Sequence, residues 1–162
     1  MYPLIKRIQV QHRIVKPLMF IGLISLVFFI SLAIKAPTSS NSFENELTII
    51  VNNDLRLKSD VSSTTNERTV GLSKYDSLRP NESMLFIFEE KGLYSFWMRN
   101  MKFPIDIIWL NENKEVVSIK ENADPADYPQ SYGPDDDSLY VLETVAGFAS
   151  ENSIAVGDQM SW

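Results

Sequence analysis

Seventeen consecutive residues without a charge or a proline, Leu18 to Ile34 (LMFIGLISLVFFISLAI), constrain this chain more than any other stretch. At about 1.5 Å per residue a helix of that length spans roughly 26 Å, a little short of the roughly 30 Å hydrocarbon core of a bilayer. Lys16 and Lys35 flank the run, and their long stems can carry the charge out to the headgroups. A helix buried in a globular core normally keeps a polar face, and this one has none. The sequence therefore predicts a transmembrane helix over 18–35, led by a basic segment, 1–17. Lys6, Arg7, Arg13 and Lys16 precede the run and only Lys35 follows it closely, which orients the N-terminus to the cytoplasm and the remainder outside, periplasmic or extracellular. The lipid bilayer is then the first expected partner. A cleaved signal peptide, with Ser31-Leu32-Ala33 as the cleavage site, is the alternative. The length of the apolar run and of its basic lead favours an uncleaved anchor. No cysteine follows the run, so a lipid-modified anchor is excluded.

Charge divides the same way. The first 35 residues hold five of the fifteen Lys and Arg and no Asp or Glu; the other 127 hold ten cations and twenty-one anions, a net charge of 10 − 21 = −11. Affinity for nucleic acid comes from cations that neutralise phosphates, so a domain this acidic is not expected to bind it. With no cysteine there can be no disulfide, thiol nucleophile or iron–sulfur cluster, and the single histidine, His12, lies ahead of the apolar run. The main domain thus lacks the commonest general base and the commonest metal ligand. No catalytic residue, metal site or cofactor is expected, and an enzyme is the less favoured reading.

A polar stretch, 36–46, leaves the membrane as a linker, and 47–162 reads as a mainly β domain. Leu47–Val51 is β-branched and predicts a strand. Residues 52–65 are polar and poorly periodic. Thr65-Asn66-Glu67-Arg68 starts a short helix that Gly71 can end. Residues 84–89 and 93–98 flank Glu90-Lys91-Gly92, the pattern of a β-hairpin; 103–110 and 115–121 flank Asn111 to Lys114 and predict a second. Residues 122–138 hold three prolines and read as a long loop, 139–145 as a strand, 146–152 as one or two helical turns, and 154–162 as a last strand. The expected fold is a small, mostly antiparallel sheet, curled or closed into a barrel, with short helices.

Phe96-Trp97-Met98-Arg99-Asn100, Pro104-Ile105-Asp106-Ile107-Ile108, Tyr140-Val141-Leu142-Glu143, Ala146-Gly147 and Gly157-Asp158, in that order, resemble the family designated domain of unknown function 192. The resemblance runs from about Leu47 to the C-terminus. It implies a compact, barrel-like β domain, often behind a signal or anchor, and implies no established activity. The chain departs from the family pattern at Arg68-Thr69-Val70-Gly71-Leu72-Ser73 and at Ser83-Met84, which puts a role for Arg68 in doubt.

Polar residues that interrupt apolar strands are the candidate site. Alternation places Asp106 on the face opposite Ile105, Ile107 and Trp109, and puts Arg99 and Asn100 at a strand end nearby. One reading is structural: Arg99 and Asp106 form a partly buried ion pair and Asn100 satisfies a turn. The other is a pocket, with Trp97 as an aromatic wall, Arg99 as an anion fork, Asn100 and Asp106 orienting the ligand, Tyr132 in a loop folded over the sheet, and Glu143 as a second inward carboxylate. Asp106 and Glu143 could also act as paired catalytic carboxylates, but an edge salt bridge is the plainer expectation for Glu143. Asp135-Asp136-Asp137 lacks the alternate spacing and glycine of a calcium loop and reads as a solvated acidic surface. The sequence thus favours a binding or accessory module for a small ligand. A carboxylate-dependent hydrolase, or a structural partner of an envelope protein through 122–138, is the alternative.

Overall fold

A computed structural model describes Ser42, Phe43 and residues 45–162; the expected membrane helix and its basic lead lie outside the described residues. Among the described residues no helix is long and apolar enough to cross a membrane. Seven strands form one sheet: β1 (Glu46–Val51), β2 (Leu55–Ser62), β3 (Glu82–Gly92), β5 (Ile105–Leu110), β6 (Val116–Ala123), β8 (Ser138–Val145) and β9 (Met160–Ser161), in the order β6-β5-β8-β3-β2-β1-β9. Two short strands, β4 (Phe96–Trp97) and β7 (Ser131–Tyr132), pair separately. The helices are α1 (Thr65–Val70) and α2 (Phe148–Glu151), with three-ten turns at Gly71–Lys74 and Pro125–Asp127.

The sheet curls into a half-barrel, and its edges touch at one place. Glu115, just before β6, bridges Gln159, just before β9. The Val116 amide donates to the Asp158 carbonyl at 2.9 Å and the Met160 amide to the Lys114 carbonyl at 3.0 Å. All pairings of the large sheet are antiparallel except β2 with β3, which run parallel because α1 carries the chain between them.

Alternation along the strands feeds two cores. Ile49, Val51, Leu57, Leu85, Ile108, Leu110 and Leu142 face Phe148 and Met160 on the inside of the curl. Met84, Phe86, Ile105, Ile107, Trp109 and Val141 face the other way and are covered by Leu72, Met98 and the residues about them. Every residue of β5 is buried, as expected of a strand with both faces covered.

Three expectations need correction. The predicted 84–98 hairpin does not form: β3 pairs with β2 and β8, while Phe96 and Trp97 leave the sheet to pair with Tyr132 and Ser131. The Trp109 Nε1 donates to the Tyr94 carbonyl at 2.8 Å and ties this departing segment to the outer core instead. The polar stretch 52–65 contains β2, whose buried Ser59, Asp60 and Ser62 hide its periodicity. The last strand is confined to Met160–Ser161. The second hairpin forms as expected, between β5 and β6.

Candidate functional site

α1 is fixed by a capping box. The Thr64 Oγ1 accepts from the Glu67 amide at 3.3 Å, and the Glu67 carboxylate accepts from the Ser63 and Thr64 amides at 2.9 and 2.8 Å. The Thr64 amide, then the Ser63 amide, hold the Glu67 carboxyl below the ordinary value. Gly71 ends α1 at φ 51° and ψ −145°, a conformation that L side chains avoid, and a Cβ there would approach the Phe86 ring to 3.3 Å. The helix end thus closes tightly over β3 and delivers Arg68 beside the aromatic side chains of that strand.

Arg68 and Arg99 both line a cavity of about 250 Å³ at this junction. The Arg68 guanidinium lies 5.0 Å from the centre of the Phe88 ring, and its Nη1 donates to the carbonyls of Ser63 and, at 2.9 Å, Ile87. Phe88 in turn stacks on Tyr94 with ring centres 3.5 Å apart. Arg99 lies 5.7 Å from the centre of the Trp97 ring. Neither arginine has a carboxylate partner among the described residues. The aromatic lining comprises Phe86, Phe88, Tyr94, Phe96 and Trp97.

Glu143 forms the floor. It lies on β8 between Ile107 of β5 and Met84 of β3, in the middle of the sheet rather than at its edge, and is only 5% exposed. The edge salt bridge expected from the sequence is therefore not formed. Among the described residues its carboxyl has no hydrogen bond or ion pair, yet it lines the cavity. Burial pushes this carboxyl up to about 8, so it is held mainly neutral near pH 7.

Asp106 is elsewhere. Its Oδ1 accepts from the amides of Asn122 at 2.8 Å and Gly147 at 3.1 Å, and its Oδ2 from Ala149 at 2.8 Å. It faces Thr144 across the β5–β8 pair, one residue out of step with Glu143, and so points to the opposite side of the sheet. Asp106 therefore neither lines the cavity nor pairs with Arg99, and it cannot share a reacting group with Glu143. It ties α2 and the end of β6 to β5.

Of the other sequence candidates, Trp97 lines the cavity, and Asn100, at φ 61°, lines an adjoining hollow of about 400 Å³ together with Arg68, Trp97 and Arg99. Tyr132 is held away from both: its hydroxyl donates to the Asp127 Oδ2 at 2.5 Å, a bond that raises it to about 12, and Lys120 lies over its ring at 4.8 Å. The structure thus brings together Trp97, Arg99 and Glu143, with Asn100 alongside, and separates Asp106 and Tyr132. It adds Arg68 and the β3 aromatics, which the sequence reading left out. The Thr64-x-x-Glu67 capping pattern immediately before Arg68 was the available signal. No group of three His, Cys, Asp or Glu that could hold a metal ion occurs among the described residues.

The model of the DUF192 family, described as "Uncharacterized ACR", matches residues 48–162. The chain belongs to the DUF192 family. No curated protein matches it. Among solved structures, a protein of unknown function from Novosphingobium aromaticivorans superposes with a TM-score of 0.68 at 29% identity, over 72% of this chain and 85% of that one. A candidate transcription regulator from Sinorhizobium meliloti gives a TM-score of 0.68 at 24% identity, over 75% of this chain and 96% of that one, and speaks for the fold alone. This DUF192 protein is a mainly β domain with short helices.

Proposed function

We propose that this DUF192 protein is a binding module for a small ligand carrying an oxyanion, displayed outside the membrane by its N-terminal helix. One observation carries the reading: two arginines without carboxylate partners line the same cavity as a buried carboxyl without a partner. Guanidinium groups placed over the Phe88 and Trp97 rings keep N–H groups available to a carboxylate or phosphate. Glu143 and the two arginines turn towards the same cavity, and a ligand there supplies the charged hydrogen-bond partners that the described residues do not.

The hydrolase reading loses its support, because Asp106 and Glu143 point to opposite sides of β5 and β8. Nucleic-acid binding is not favoured by a domain of net charge −11 (10 − 21 over residues 36–162).

The test is thermal unfolding of the full chain with phosphate, acetate and benzoate, beside Arg99→Ala. A ligand that binds only the native state stabilises it by about 2.7 kcal/mol at a hundredfold excess over Kd. At least one anion should raise the midpoint of the parent and leave the variant unmoved. Absence of any shift, or equal shifts in both proteins, would refute the oxyanion site. The anchor is tested separately: the full chain should stay with membranes through alkaline carbonate extraction and expose its C-terminal domain to protease from outside.

A further inference from the structure

The cavity has two chemically opposed ends. Arg99 is exposed and Arg68 half-buried at its mouth, whereas Glu143 is buried on its floor. Resting on the oxyanion reading above, we propose that the ligand is an amino carboxylate, whose ammonium group enters to meet Glu143 while its carboxylate faces Arg68 and Arg99.

Three features of the floor select a cation. First, the cavity around Glu143 presents Phe86 and Phe96, whose rings pack edge to face with centres 4.9 Å apart, and aromatic faces attract ammonium groups. Second, the strand neighbours of Glu143 on either side are Met84 and Ile107, neither of which can neutralise a carboxylate. The charged groups that line the cavity with it are Arg68 of α1 and Arg99 beyond β4, and the remaining titratable one, Tyr94, donates a hydrogen bond from its hydroxyl to the Glu90 carbonyl at 2.5 Å. Third, no hydrogen bond or ion pair within the described residues engages the Glu143 carboxyl and burial holds it neutral, so near pH 7 an entering cation is what favours its ionised form. A cavity of about 250 Å³ admits a guest on the order of ten non-hydrogen atoms, the size of a short amino carboxylate. Entry of the ammonium group breaks the Glu143 O–H bond, passes that proton to the buffer, and leaves a carboxylate–ammonium pair in the cavity.

Calorimetric titration of the full chain at about pH 7 tests this with β-alanine, γ-aminobutyrate, ε-aminocaproate and p-(aminomethyl)benzoate. Each is paired with its counterpart lacking the amine: propionate, butyrate, caproate and p-toluate. At least one amino carboxylate should bind about tenfold or more tightly than its counterpart. Repeating the titration in buffers of different ionisation enthalpy should show release of about one proton. Glu143→Gln should abolish both the preference and the release while still binding the carboxylate. If that variant fails to fold, proton release by the parent protein still decides. Counterparts that bind as tightly as the amino carboxylates, without proton release, would overturn the ammonium assignment and leave the oxyanion site standing. No binding by any of the eight would overturn the amino carboxylate, and the phosphate arm of the unfolding test then decides the oxyanion site by itself.

Discussion

Asp106 and Glu143 are carboxylates on neighbouring strands with opposite circumstances. Asp106 is fully buried but accepts from three backbone amides; Glu143 is nearly as buried and accepts from none among the described residues. Asp106→Asn puts a donor where an acceptor is required and should destabilise the domain by roughly 2–4 kcal/mol in denaturant unfolding, without changing oxyanion binding at the cavity. Glu143 has the reverse sensitivity. Its folded value, about 8, lies above the ordinary 4.5, so the folded state holds a proton that the unfolded state releases. Its contribution therefore falls as pH rises from 4.5 towards 8 and is constant above, a loss on the order of 3–5 kcal/mol across that window. Glu143→Gln should flatten that slope and make the variant the more stable protein near pH 8, as judged by unfolding midpoints across the pH range. The sequence shows both residues interrupting apolar strands. It does not show that Asp106 lies opposite Thr144, because register between strands far apart in the chain is set by packing.

The β5–β6 hairpin and α1 could be read in advance because each is specified locally, by a turn between two apolar runs and by a cap three residues before a glutamate. The 84–98 hairpin misled because its local pattern is sound but loses to distant partners. β3 gains β2 on one side and β8 on the other, and Phe96 finds Tyr132. Arg68 was doubted because residues 68–73 depart from the family pattern, and its neighbours in the cavity, from β3 and the segment 94–101, are distant in the chain. Since α1 holds Arg68 in place, loosening its cap should reach the site. Thr64→Ala should cost about 1 kcal/mol and weaken oxyanion binding in the same titrations. Gly71→Ala imposes a side chain on a left-handed backbone against the Phe86 ring, and should destabilise by roughly 1–3 kcal/mol in denaturant unfolding.

The curled sheet distributes its stability unevenly. β5, β8 and β3 are paired on both edges and covered on both faces, whereas β4 and β7 pair only with each other over two residues. Native-state hydrogen exchange should therefore be slowest at Leu85, Ile107, Ile108 and Leu142, and fast at Trp97 and Ser131. That hierarchy puts the rim of the cavity on its least anchored strand and its floor on the best anchored one.

The parallel step from β2 to β3 has a further consequence, one of inheritance and engineering. Residues 63–81 make the whole crossover, and they carry Arg68 and the roof of the cavity without contributing any strand to the sheet. Such a segment can be exchanged like a cartridge. Relatives can diverge there in length and charge while keeping the same barrel wall, and transplanting that one segment between two of them should carry much of the donor's ligand preference along with it.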